Sequence, residues 1–288
     1  MTDTATTSSP SRSILITGCS TGIGHACAHG LKARGWRVFA AARKAEDVAR
    51  LCGEGLEAVR IDYTDADSIG TGLAEVLQAT GGRLDALFNN GAYGQPGALE
   101  DITPEVMRLQ METNFLGWHD LTRRVIPIMR AQGSGRIVNC GSVLGFIAMK
   151  YRGPYTASKY ALEGYSETLR LELHDAGIHV SLIDPGPIGT NFTKNATDAF
   201  RNNVAIEESV FAVKYRRRLE FLNSGGSKSR FKLGPEAVLD KLVHALDSRN
   251  PKVRYKVTLP THGLSFLKRI LPSRTFLALL RRLSDAET

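Results

Sequence analysis

Short apolar-rich runs punctuate the chain at residues 13–17, 36–42, 56–61, 84–89, 136–140, 179–183 and 254–257. Runs of this length, most of them closed by Gly, Asn or Asp, predict strands buried on both faces. Between them the pattern changes. Over 22–34, 65–80, 104–131, 155–176 and 235–247 the apolar positions recur every three or four residues, which predicts helices with one buried face. Gly35 ends the first of these, and Pro104 and Pro235 stand where a first helical turn tolerates proline.

Strands alternating with helices predict an α/β fold. Right-handed crossovers then give a doubly wound parallel sheet of the Rossmann type, with about seven strands and helices on both faces. The chain of 288 residues shows no internal repeat and no linker that would split this unit, so a single domain is expected over 12–260. Residues 1–11 are Thr/Ser-rich and lack an apolar core, so they read as a disordered leader rather than a signal peptide. Residues 191–233 break the rhythm after the sixth strand, mixing Phe192, Phe200, Phe211 and Tyr215 with polar residues and ending at Gly225-Gly226. Ligands of such sheets bind outside the carboxyl ends of strands, so this insertion is expected to cover substrate as a lid; an ordinary surface excursion is the alternative. Residues 261–288 form an amphipathic extension in which Phe266, Leu267, Ile270, Phe276, Leu279, Leu280 and Leu283 interleave with Lys and Arg. Packing on its own domain or capping a dimer is expected; contact with an anionic membrane surface is the alternative, weakened by the break at Pro272.

Composition narrows the function. A net charge of +8 suits an anionic cofactor, and the basic residues form no run of the kind that binds nucleic acid. Cys19, Cys27, Cys52 and Cys140 make no CxxC pair and read as free thiols of a reducing compartment. No run of eighteen apolar residues exists, so a cytoplasmic protein without a transmembrane helix is expected. His25, His29, His119, His174, His179, His244 and His262 are given surface or capping roles, and no metal is expected.

Thr17-Gly18-Cys19-Ser20-Thr21-Gly22-Ile23-Gly24 lies between the first strand and the first helix. Glycines there let the backbone approach a pyrophosphate, and the helix N-terminus supplies free N–H groups. Cofactor choice is read at the end of the second strand, Ala40-Ala41-Ala42-Arg43-Lys44, where an NAD site wants an acid and this chain has two bases. Arg43 can fork onto a 2′-phosphate, with Lys44 beside it and Ser20 and Thr21 as hydroxyl donors, so NADP is expected over NAD. Ser142 follows the fifth strand, and Tyr155 and Lys159 share one face of the helix that begins thirteen residues later. A phenol serves as the acid of a carbonyl reduction if its pKa falls from about 10 toward neutrality, which a neighbouring ammonium favours. Ser142 can hold the substrate oxygen near it.

The spacing TGxxxGxG, followed by Ser-x12-Tyr-x3-Lys, resembles the short-chain dehydrogenase/reductase family in its shorter subgroup. The resemblance covers residues 13–190 and implies hydride transfer between a nicotinamide and a carbonyl or alcohol. It implies Tyr155 as acid/base, Lys159 lowering its pKa and binding the nicotinamide ribose, and Ser142 orienting substrate. Asn114, a poor residue for a helix interior, matches the position where the family kinks the helix and relays protons; an Asn on a solvated face is the alternative. Asp62 is placed at the adenine, or else opens the next turn. Asn90 and Gly91, in Asn89-Asn90-Gly91-Ala92, match the family's NNAG with its last two residues exchanged. Pro185, Gly186, Ile188 and Thr190 match the segment that meets the nicotinamide carboxamide.

The segment NNGAYGQPGALED and the strand-two AAARK resemble the retinol- and hydroxysteroid-dehydrogenase-like branch. Ser142, Leu144, Met149, Tyr93 and Phe192 are accordingly expected at a pocket for a lipophilic aldehyde, ketone, retinoid or steroid-like substrate. The family also implies a homodimer or homotetramer built on the helices at 104–131 and 155–176. A nucleotide-binding regulator without catalysis is the other function class, and it would be expected to lose Ser, Tyr or Lys.

Overall fold

The computed structural model describes residues 11–223 and 231–285. Seven parallel strands form one sheet in the order β3-β2-β1-β4-β5-β6-β7: β1 Ser13–Ile16, β2 Arg37–Ala42, β3 Glu57–Arg60, β4 Ala86–Asn89, β5 Gly135–Cys140, β6 Ile178–Asp184 and β7 Arg254–Lys256. The order reverses between β1 and β4, so a crevice opens at their carboxyl ends. In register, Ile16 pairs with Ala40 on one side and Phe88 on the other, Asn89 with Asn139, and Cys140 with Ile183. Strand ends therefore finish at one level, and the loops that follow them share one rim. Ile14, Leu15, Ile16, Leu87 and Phe88 are fully buried at the centre, as expected where helices cover both faces.

The helices are α1 Gly22–Lys32, α2 Ala45–Gly53, α3 Ala66–Thr80, α4 Pro104–Met111, α5 Gly117–Gln132, α6 Gly153–Glu172, α7 Phe192–Asn203, α8 Ala212–Asn223, α9 Glu236–Asp247, α10 Leu259–Ile270 and α11 Ser273–Asp285. Helix α2 is absent from the hydrophobic reading. Its nine residues, AEDVARLCG, fully bury only Leu51, and so short a segment falls below the length at which apolar spacing marks a helix. The single helix expected over 104–131 is two helices joined by a π-helical turn, Glu112–Leu116. The extra residue of such a turn re-aims side chains, and here it carries Asn114 into full burial. That removes the solvated-face alternative for Asn114.

Side-chain hydrogen bonds lock the rim to the helices beneath it. Asn89 Nδ2 donates to Thr122 Oγ1 on α5 and to Asn139 Oδ1 on β5, both at 3.0 Å. Asn139 Nδ2 donates to Ser166 Oγ on α6 at 2.9 Å. All four groups are buried, so each bond removes a desolvation cost.

Helices α7 and α8 occupy the segment after β6. They form a small core of their own, in which Phe200, Val204 and Tyr215 meet Ala98. Gly225-Gly226, the expected end of this insertion, lies outside the described residues, as do residues 1–10 of the expected leader. Helices α10 and α11, separated at Pro272, lay Phe276 and Leu280 against Phe146 and Ile147. No described helix is long and apolar enough to cross a membrane.

Candidate active site

The turn after β1 is packed too tightly for side chains. Gly18 has φ +67°, and a Cβ on it would lie 2.5 Å from the Cα of Gly91. A Cβ on Gly24 would lie 2.4 Å from the carbonyl oxygen of Gly18. Thr17 ties the turn to the exit of β4: its Oγ1 accepts from Asn90 N at 2.9 Å and Gly91 N at 3.1 Å. Asn90 Nδ2 returns a bond to the Thr17 carbonyl at 3.0 Å. The hydroxyl of Tyr63, a residue given no role by its sequence position, donates to Thr17 Oγ1 at 2.7 Å.

Beyond the turn, Thr21 stands extended at the N-cap of α1 and caps no amide with its side chain. The first amides of α1 are thus left for a ligand, and with the bare glycine backbone they make a cradle that fits a dinucleotide phosphate. Ser20, Thr21, Gly22 and Ile23 line up along it, and Thr190 faces Gly22 from across the crevice, 3.0 Å from where a Cβ would be.

Arg43 and Lys44 follow β2, and both side chains are exposed. Lys44 pairs with Glu46 at 3.0 Å, while the Arg43 guanidinium makes no ion pair with a described residue. A third cation was missed with α2: Arg50 Nη2 donates to the Ser20 carbonyl at 2.6 Å. Asp62 Oδ1 accepts from Thr64 N and Thr64 Oγ1 at 3.0 and 2.9 Å, so this carboxylate also builds the turn into α3.

Ser142 lies just past β5, and Tyr155 and Lys159 lie in the first turns of α6. Lys159 is buried, and its Nζ donates to the Cys140 carbonyl at 2.7 Å. The same ammonium sits 4.5 Å from the ring centre of Trp118 and 5.6 Å from that of Tyr155. Asn114 Oδ1 accepts from Tyr93 N at 3.1 Å, and its Nδ2 donates to Tyr93 O at 2.8 Å and Ser158 Oγ at 3.3 Å. One asparagine therefore fixes the strand-four loop against α6, one residue before Lys159.

The electrostatics differ from the simple expectation that Lys159 sets the acidity of the phenol. Burial pushes the Tyr155 phenol well above its ordinary range, and Ser142 pulls it partly back. Burial also pulls the Lys159 ammonium down to about 8, opposed by its neighbours Cys140, Asp184 and Glu163. Desolvation outweighs charge pairing here because the lysine is fully buried. The phenol is thereby kept protonated at neutral pH, as a proton donor must be.

Beneath Lys159 lies a charged cluster that sequence position did not reveal. Arg254 on β7 pairs with Glu163 on α6, and its Nη1 is 3.6 Å from Asp184 Oδ2. Burial pushes both carboxyl groups up. Asp184 Oδ1 and Oδ2 and Glu163 Oε1 are buried without a hydrogen-bond partner among the described residues. Two buried carboxyls in one cluster resist ionising together, so burial and their mutual repulsion keep a proton on the pair at higher pH than on a free carboxyl. Their remaining charge favours the ammonium of Lys159.

Val143 N donates to the Pro185 carbonyl at 2.9 Å, joining the serine loop to the Pro185-Gly186 segment. Gly186 is held against the hydroxyls of Thr258 and Thr261, and Ile188 bridges to Leu233. From Tyr155 a cavity runs between the serine loop and α7–α8, walled by Leu144, Met149, Tyr151, Phe192, Phe200 and Tyr215. The Tyr155 and Phe192 rings meet edge to face, 5.3 Å apart. Of the residues expected at a substrate pocket, Leu144, Met149 and Phe192 line this cavity, and Ser142 and Tyr93 do not. The Tyr93 hydroxyl is buried with no hydrogen-bond partner among the described residues, and burial pushes it up to about 12.

The family model for short chain dehydrogenases matches residues 12–200. An oxidoreductase of Escherichia coli (strain K12), YbbO, uncharacterised in its name, is 44% identical over 263 residues, 91% of each chain. The 3-ketodihydrosphingosine reductase of Bacteroides thetaiotaomicron is 35% identical, over 85% of this chain and 87% of its own length. Among solved structures, a point variant of the actinorhodin polyketide ketoreductase with NADPH superposes with a TM-score of 0.69 at 28% identity, covering 86% of this chain and 95% of the other.

Proposed function

The chain belongs to the short-chain dehydrogenase family, and on that premise we propose that it is an NADP-dependent oxidoreductase acting on lipophilic carbonyls or the corresponding alcohols. The observation that carries this reading is the meeting of Ser142, Tyr155 and Lys159 at one sheet rim with the glycine turn of β1. Bound along that turn, the nicotinamide nucleotide supplies the hydride. The protein's own groups do the rest. Tyr155 gives its phenolic proton to the substrate oxygen, and Ser142 donates to the same oxygen and orients it. Lys159 holds positive charge beside the phenol and stabilises the phenolate left behind, which regains its proton from solvent. Asn114 positions Tyr93 and Ser158, which flank these groups. The apolar walls of the cavity support a lipophilic substrate, as does the resemblance to a relative named 3-ketodihydrosphingosine reductase. A panel of long-chain aldehydes, ketones and steroid-like carbonyls, followed by NADPH consumption, tests this. Failure across the whole panel with nucleotide bound would favour a regulator instead.

The preference for NADP rests on Arg43 and on the lack of an acid at the end of β2. A fork onto a 2′-phosphate is worth about 1.5–3 kcal/mol, or roughly ten- to a hundredfold in affinity. Arg43→Asp is therefore expected to raise KM for NADPH by that factor and improve NADH. Equal efficiency with the two nucleotides in the parent protein contradicts the assignment.

Lys159 also sets a pH limb. Its ammonium, held down to about 8 by burial, is present below that pH and lost as pH rises through it. Carbonyl reduction should lose kcat/KM above about pH 8, approaching tenfold per unit. A profile flat to pH 10 would remove the lysine from the mechanism.

A homo-oligomer is supported by apolar side chains left in solvent on the helices expected to pair. Leu109 on α4 is 45% exposed, Leu116 44% and Leu171 on α6 80%. Light scattering should report a dimer or tetramer; a monomer mass at micromolar concentration overturns this.

A further inference from the structure

Helix α1 presents His25 and His29 four residues apart, on one face. At the end of α2, Glu54 turns its carboxylate toward that face. Nε2 of His25 lies 2.7 Å from Glu54 Oε2, and Nε2 of His29 lies 2.9 Å from the same oxygen. The two imidazole centroids are 4.5 Å apart. The donor atoms of all three residues fall within 4.8 Å of one another. Their side chains are 35%, 38% and 29% exposed, so an ion has a path from solvent.

The carboxylate is held for this task. Arg50 pairs with Glu54 through the other oxygen, Oε1, and leaves Oε2 to the histidines. The same Arg50 grips the Ser20 carbonyl, so the cluster is braced against the nucleotide turn. Hydrogen bonding alone satisfies one oxygen with two imidazoles. A cation at that point would satisfy three donors at once, each neutral imidazole carrying its proton on Nδ1 and giving its Nε2 lone pair to the ion.

We propose that His25, His29 and Glu54 form a surface site for a divalent transition ion of the zinc class, which clamps α1 to the turn that follows α2. Two nitrogens and one oxygen suit zinc, with water completing a tetrahedral set, and suit the all-oxygen ions calcium and magnesium poorly. The proposal goes beyond the surface and capping roles expected of the two histidines. A separation of four inside a helix is a metal spacing, and the third ligand comes from the end of a helix too short to register in the sequence.

The test is a competition titration of the full chain with Zn2+ against a chromogenic chelator, in the parent and in a Cys52→Ser background, since Cys52 is an exposed thiol. One equivalent of zinc is expected in both, with Mg2+ in excess failing to compete. His25→Ala and His29→Ala should each weaken binding by about tenfold or more, Glu54→Gln less so. Zinc should raise the Tm of the parent and leave that of the His25→Ala/His29→Ala double variant unmoved; circular dichroism checks that the variants are folded. Binding that survives both histidine substitutions, binding lost in Cys52→Ser, or none at millimolar zinc would each overturn the site.

Discussion

Tyr155→Phe is expected to lower kcat for carbonyl reduction by roughly 10²- to 10⁴-fold, the range for removing a positioned general acid. Nucleotide affinity should stay within about twofold, because the ring that packs against Phe192 at 5.3 Å is retained and only the hydroxyl is removed. Burial holds this phenol protonated at neutral pH, so it can give the substrate oxygen a proton. Stopped-flow consumption of NADPH, with nucleotide binding followed separately by fluorescence, divides chemistry from affinity. A variant that reduces the same carbonyl at the parental rate would remove Tyr155 from the reaction.

Gly18→Ala should cost nearly as much, by another route. The residue adopts φ +67°, and its new Cβ would fall 2.5 Å from the Cα of Gly91, which has no side chain to move aside. A non-glycine residue held in such a conformation costs about 1–3 kcal/mol before any clash is counted. Relief requires the turn to part from Asn90 and Gly91, which breaks the bonds to Thr17 that shape the phosphate cradle. Nucleotide affinity is expected to fall by roughly a hundredfold or more, with a lower Tm. Gly164→Ala is the matched control. That glycine is exposed on α6 with nothing within 4 Å of a new Cβ, so the change should stabilise by about 0.5–1 kcal/mol and leave nucleotide binding alone. Unchanged nucleotide affinity in Gly18→Ala would show that the turn is not the cradle.

Much of this arrangement was legible in one dimension because its signals are local. Parallel strands buried on both faces read as apolar runs, and the expected and observed strands agree to within a residue or two at their ends. The glycine turn and the Tyr155–Lys159 spacing each lie within a single loop or helix turn. Helix α2 was illegible because its nine residues, with Leu51 alone fully buried, are too few for apolar spacing to mark a helix. Arg50 and Glu54 were lost with it. The π-helical turn at Asn114 leaves no mark in hydrophobic spacing; only a residue unsuited to a helix interior hinted at a kink there. Glu163, Asp184 and Arg254 come from α6, β6 and β7, and only the sheet order brings them under Lys159. The sign of the Tyr155 shift was also beyond sequence, since it depends on how deeply the ring and the lysine are buried.

The central claim is that this chain moves hydride from a nicotinamide to a carbonyl carbon with Tyr155 as the proton donor. Single-turnover reaction of the parent with NADPH deuterated at C4 and a lipophilic ketone, read by mass spectrometry of the product, tests it most directly. One deuterium is expected on the carbinol carbon, formed with one configuration, and no labelled product from Tyr155→Phe on the same timescale. Nucleotide that binds tightly yet transfers no deuterium to any carbonyl of the panel, or equal labelling by Tyr155→Phe, would contradict it.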